Sequence, residues 1–253
     1  MSISAARIGA VVRKELTEFR RSPLIVGTMA VLPIIFLIVP TVTILTQGTS
    51  EPASSLQKVV GFALLYLLLV PVVLPSTIAA YSVVGERDQG TLEPLLTTPI
   101  SREELLIGKA AAALIPAIGV AYLILGIFLA IVQVAAHPVV AAAVWHSPEL
   151  LGEVFFIPLL GGWAIWVGLA ISSKVSEVRT AQQLGILASF PPIVLIALVS
   201  FALVSPSLGL ALSLGGALLV IDCGAYLLVS RLFDRERLIT GDKPSRGLAS
   251  PVR

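Results

Sequence analysis

The chain has 253 residues, 57% of them hydrophobic and 13% charged, with a mean hydropathy of +0.98. Soluble domains carry about 25% charged residues, so this polar surface is too small to solvate a globule. The composition excludes a soluble enzyme and points to an integral membrane protein. With a net charge of only +2, the placement of charge says more than its sum, and no nucleic-acid partner is expected.

In chain order, residues 4–21 predict an amphipathic helix. Ile8, Val11, Val12, Leu16 and Phe19 share one face, while Arg13, Lys14, Arg20 and Arg21 lie outside it. Such a helix lies along the inner membrane surface until Pro23 turns the chain into the bilayer. Glu15 falls within the apolar face, which lipid alone tolerates poorly. It either pairs with a nearby Arg or caps a neighbouring helix, or the face docks on protein with Glu15 touching the central loop or a partner.

Apolar runs follow at 24–45, 59–84, 110–136, 154–172, 181–204 and 208–229. Each reaches the roughly 17–25 residues a helix needs to cross a bilayer, and none alternates as barrel strands do. The first is too long for a signal peptide and is followed by no small-residue cleavage site, so it is expected to remain as a span. The predicted fold is all-α, a polytopic membrane protein with six transmembrane helices. Residues 1–23 form an interfacial helix, 24–232 the transmembrane domain and 233–253 a tail.

Lys and Arg orient the spans. Sixteen of the seventeen lie before the first span, in the loops after the second and fourth, or in the tail; only Lys58 lies elsewhere. By the positive-inside rule both termini and the central loop are cytoplasmic, and the chain is expected in the cytoplasmic (inner) membrane. Prolines 33, 40, 71, 75, 116, 191 and 192 fall within the runs and favour kinks. His137 and His146 share the outer loop 137–147, with Glu149 just beyond it, but two histidines beside one carboxylate fall short of a metal site; no metal is expected. Cys223 is alone and reads as a small buried residue. Asp222 lies inside the last span, where an acid must face protein or water. It is either held structurally, for instance by Tyr226, or a polar point on a substrate route.

The central stretch 85–109 reads GERDQGTLEPLLTTPISREELLIGK and holds eight charged residues. Gly85 permits a break after the second span. Gly90 and Thr91 can start a short helix with Glu93 in its first turn, and Leu92, Leu95 and Leu96 form its sticky side. Thr98-Pro99 stops it. Ser101 and Glu104 then make a capping box that opens the third span.

This run resembles the signature of the type-2 ABC transporter permease family, the membrane subunits of ABC exporters. The resemblance is carried by Glu86, Gly90-Thr91-Leu92-Glu93, Leu95-Leu96, Pro99, and Glu104-Leu105-Leu106 to Gly108-Lys109. The opening Arg13-Lys14-Glu15-Leu16 and Arg20-Arg21-Ser22-Pro23 are similar to that family's first helix, and the topology covers nearly the whole chain. The resemblance implies a permease dimer, a homodimer with a heterodimer as the alternative, bound to two cytoplasmic ATPase subunits. The short helix, with Glu86, Gly90, Thr91, Leu92, Glu93, Leu95, Leu96 and Pro99, would fit a cleft of the ATPase. Lys174, Glu177 and Arg179 would form a second, weaker contact. Only Ser205–Ser207 separate the last two spans, so no large external gate is expected there.

Gly85 to Gly90 mimics the first half of a phosphate-binding loop, but Thr91-Leu92 replace the required Lys and Ser/Thr. ATP and Mg²⁺ are therefore expected on a separate ATPase chain, with no cofactor and no catalytic residue on this one. Apolar spans with few fixed charges suit a lipophilic drug or lipid cargo, with ion export also open. Two other classes remain open: an ATP-independent channel or carrier centred on Asp222, and a membrane anchor in a non-transport complex.

Overall fold

The structure, a computed structural model, describes residues 3–47, 53–88, 100–175, 177–188, 190–200 and 208–232. Its elements are α1 (Ala5–Arg21), α2 (Pro23–Leu45), α3 (Ala53–Leu67), α4 (Leu69–Asp88), α5 (Arg102–Ala135), α6 (Pro138–Trp145), α7 (Pro148–Lys174), α8 (Val178–Ala188), α9 (Phe190–Ser200) and α10 (Leu208–Leu232). No strand occurs among the described residues, in keeping with an all-α membrane protein.

Among the described residues, five helices are long and apolar enough to cross a bilayer: Ile25–Leu45, Ser54–Glu86, Arg102–Ala135, Pro148–Lys174 and Gly209–Arg231. The predicted fifth span, 181–204, is represented by α8 and α9, which flank Ser189; Ser189 and residues 201–204 lie outside the described residues. Pro191 and Pro192 lie in α9. The second span is interrupted at Leu68, between α3 and α4. Pro71 stands three residues later, and its missing N–H leaves the Leu67 carbonyl without its helical partner.

The interrupted Ser54–Glu86 run is the hub: 72% of its most apolar window is buried, against 17% for both Ile25–Leu45 and Gly209–Arg231. α4 packs along α7, and α7 along α10, while α2 leans on α3 and α5. Two apolar cores are stacked along the bundle. One joins Val70, Leu74, Phe128, Val132, Phe156 and Leu160. The other joins Ile78, Val83, Leu106, Ala113, Ile165 and Leu169 with Val11 and Phe19 of α1. α1 thus presses its apolar edge into protein rather than into lipid alone.

At 34 residues α5 is the longest helix among the described residues. With a rise of about 1.5 Å per residue it measures roughly 51 Å, against about 30 Å of hydrocarbon. α1 packs against its first turns.

Candidate functional site at the loop end of the bundle

Residues 85–109 leave α4 and return through α5, and α1 meets both helices where they do so. The approach depends on Gly108: a Cβ there would lie 2.6 Å from Val11 Cγ1 and 2.7 Å from Val11 Cβ. Only a residue with no side chain lets α1 sit this close to α5.

The start of α5 is built around Glu104. The predicted capping box forms, with Glu104 N–H donating to Ser101 Oγ at 3.2 Å and Ser101 N–H donating to Glu104 Oε2 at 2.9 Å. The same carboxylate accepts from Ser4 N–H at 2.7 Å and from Arg7 Nε at 2.9 and 2.8 Å and Nη2 at 2.7 Å. One side chain caps α5 and anchors the beginning of α1. Two-pronged Arg–carboxylate pairing fixes direction as well as distance.

About one and a half turns further on, Lys109 enters a buried ionic network. Its ammonium lies 2.8 Å from Glu15 of α1 and 2.7 Å from Glu86 of α4. It also donates to the Ser82 carbonyl at 3.0 Å and to Ser82 Oγ at 3.2 Å. Lys109 and Glu15 are each 1% exposed and Glu86 is 5% exposed. An isolated charge at such burial would be prohibitively costly, and here each ammonium serves more than one carboxylate. Lys14 supplies the second, bonded to Glu86, 3.4 Å from Glu15 and 3.1 Å from Glu18. Burial pushes the Glu15 carboxyl up, but Lys109 and Lys14 outweigh it and hold the group below the usual carboxylate range. Burial likewise pushes Lys14 down, and Glu15, Glu86 and Glu18 raise it above the ordinary lysine value.

Oxygens of Glu15, Glu18 and Glu86 lie within 4.8 Å of one another, a spacing that would suit a cation. The cation that meets all three is the Lys14 ammonium. Beside it a cleft of about 360 Å³ opens between α1 and α4, lined by Glu18, Phe19, Tyr81 and Ser82 among others.

Comparison with known families supplies the deciding observation: residues 9–214 match the family described as ABC-2 family transporter protein. The chain belongs to the ABC-2 transporter family. A comparison with curated proteins finds no match. It is therefore an ABC transporter permease, integral to the membrane and multi-pass, and membership implies pairing with an ABC ATPase subunit.

Within this ABC-2 permease the predicted site residues fall into three groups. Gly90, Thr91, Leu92, Glu93, Leu95, Leu96 and Pro99 lie outside the described residues. Glu86, placed by the sequence at the edge of an outward-facing helix, instead turns inward and bonds to Lys109 and Lys14. Glu15 is buried in the same network, its partners two lysines rather than an arginine. Lys174, Glu177 and Arg179 are exposed around the turn from α7 to α8. That turn is tied to the end of α4, where Val84 N–H donates to Ser172 Oγ at 3.2 Å and Ala181 packs on Val84. Both predicted connections thus meet at one end of the bundle.

Asp222 lies far from this network, facing α7. Its Oδ2 is 2.8 Å from where a Cβ of Gly162 would sit, so that glycine makes room for the carboxylate. Oδ1 is buried without a hydrogen-bond partner among the described residues. The expected bond from Tyr226 does not form; that ring packs edge-on against Trp166, with centroids 5.3 Å apart.

Sequence reasoning missed Arg7, Ser82, Glu104 as an anchor for α1, and Lys109 as the centre of the network. Two signals were present: an acid inside the apolar face of α1, and a lysine next to glycine where an apolar helix begins.

Proposed function

We propose that the chain is the membrane subunit of an ATP-driven exporter, and that a separate ATPase drives it through residues 85–109. The observation that carries this reading, beside family membership, is that both ends of 85–109 are held by one buried network. Ser82 and Glu86 around its start, and Glu104 and Lys109 at its end, all bond to α1. A push on the loop would therefore move α4, α5 and α1 together. ATP and Mg²⁺ belong to the partner chain, and this chain contributes no catalytic group. Two permeases, as a homodimer, pair with two ATPase subunits in the cytoplasmic membrane, with both termini cytoplasmic. Leu92, Leu95 and Leu96 contact the ATPase, Lys174, Glu177 and Arg179 form a lesser contact, and a lipophilic or lipid cargo moves outward.

The test is co-purification of the tagged chain from its native membrane. A stoichiometric ATPase is expected with the wild-type chain, and the Leu92→Asp/Leu95→Asp/Leu96→Asp variant releases it and abolishes ATP-dependent transport. Substrate movement with no ATPase attached would sink the proposal in favour of an ATP-independent carrier. The buried, unpartnered Asp222 Oδ1 is the feature on which that second reading rests.

A further inference from the structure

We propose that the groove between α1 and the start of α2 binds an anionic membrane phospholipid, with Arg13 and Arg20 holding its phosphate. Docking of α1 fixes which of its faces remain free. Val11, Glu15 and Phe19 are buried against the bundle, and this turns Arg13 and Arg20 outward, both exposed. Arg7 and Lys14 are engaged by Glu104 and by the ionic network. Arg13 and Arg20 form no ion pair among the described residues. They are seven residues apart, two helical turns or roughly 10.5 Å along the axis, on one flank of the helix.

Between them lies a groove of about 670 Å³, floored by Val12, Leu16, Val26 and Met29. A floor of this kind has no use for a soluble anion. At Val26 its edge joins an exposed ridge of α2 at four-residue spacing, on which Ile34, Ile38 and Val42 are each more than half exposed. In a membrane chain that ridge faces acyl tails. The occupant must be anionic at one end and hydrocarbon at the other, and must approach from the bilayer. A phospholipid with a net negative headgroup meets all three requirements. Arginine suits phosphate because its guanidinium can donate two parallel hydrogen bonds. Basic residues at a membrane surface also gain from anionic lipid.

The full-length protein in neutral detergent is titrated with dioctanoyl phosphatidylglycerol, and separately with dioctanoyl phosphatidylcholine, by native mass spectrometry. Wild type is expected to bind the glycerol lipid in preference to the choline lipid. Arg13→Gln/Arg20→Gln is expected to weaken that binding about 20- to 30-fold, from the typical contribution of two surface cations, and to erase the preference. Gly9→Leu keeps both arginines. A Cβ at Gly9 meets nothing within 4 Å, so the leucine side chain fills the groove without a clash and should weaken phosphatidylglycerol as well. Lys58→Gln, remote in sequence from α1, should bind as wild type does. Unchanged affinity in either the arginine or the Gly9 variant would overturn the site, as would equal binding of the two lipids by wild type. Displacement of the lipid by equimolar inorganic phosphate would overturn the lipid as its occupant.

Discussion

Replacing Lys109 with methionine tests the network most directly. The substitution keeps most of the side-chain volume and removes the ammonium that lies 2.8 Å from Glu15 and 2.7 Å from Glu86. It leaves Lys14 as the one ammonium for Glu15, Glu18 and Glu86. Breaking a buried pair from one side costs roughly 3–5 kcal/mol, because the remaining charge stays buried. Lys14 stays in place and its side chain is 32% exposed, so water and the second lysine soften the loss. The low end, about 3 kcal/mol, is therefore expected. For a chain of this size each kcal/mol shifts Tm by about 2–4 °C, which gives a fall of roughly 6–12 °C. Tryptophan fluorescence in detergent is a suitable readout, since Trp166 packs on Tyr226 and borders the same core. One scan rate must be kept throughout. A cycle with Glu15→Gln completes the test: the double variant should be more stable than the sum of the two single losses by about 2 kcal/mol, the range seen for contacting residues. A Lys109→Met shift below 2 °C, or strict additivity in the double variant, would refute the network as a structural lock.

Gly108→Leu should displace α1, because the Val11 side chain it meets is β-branched and backed by the helix. A cost of about 1–3 kcal/mol is typical of overpacking, read as a lower Tm, with Gly108→Ala milder. Docking of α1 should be proton-linked through Glu15, which faces Lys14 and Glu18 of α1, Glu86 of α4 and Lys109 of α5. Its carboxyl is depressed below 4.5 in the docked state, so its contribution is complete above that value and is lost as pH falls through the lowered one. Hydrogen exchange of α1 amides should accelerate there, and Glu15→Gln should reduce that dependence on acid, leaving the part carried by Glu104, whose carboxyl Arg7 and the backbone of Ser101 and Ser4 hold at about 2. Asp222→Asn should alter substrate affinity or turnover in a reconstituted transport assay if the carboxylate lines the route. Unchanged transport would assign Asp222 a packing role over Gly162.

The fold was legible wherever periodicity and length carry it. Long apolar runs have one low-energy form in a bilayer, so the spans could be read directly. The capping box at Ser101 and Glu104 was legible too, because its bonds are local. Residues brought together by tertiary contact were least legible. Glu86 reads locally as part of a solvated Glu-Arg-Asp cluster. Its partners, Lys14 and Lys109, are 72 residues before it and 23 after it. No spacing rule links them; the close approach at Gly108 does.

That contrast bears on how residues 85–109 could transmit force. A loop joining two helices can pivot at its own ends without moving either. The structure answers this by bracing the helices just beyond the pivots. Glu86 and Ser82 hold the last turns of α4, Glu104 and Lys109 the first turns of α5, and all bond to groups on or beside α1. Hydrophobic contact alone would let these helices slide, because apolar packing has no preferred direction. Ion pairs with hydrogen-bonded partners impose register, and Glu104 does so twice, through its cap and through Arg7. α1 then leads into α2 through Ser22, whose extended backbone turns the chain before Pro23. On the proposed function, work done on the loop reaches α2 by this path as well as through α4 and α5. On that reading α1 is a load path, and its buried charges are the joints.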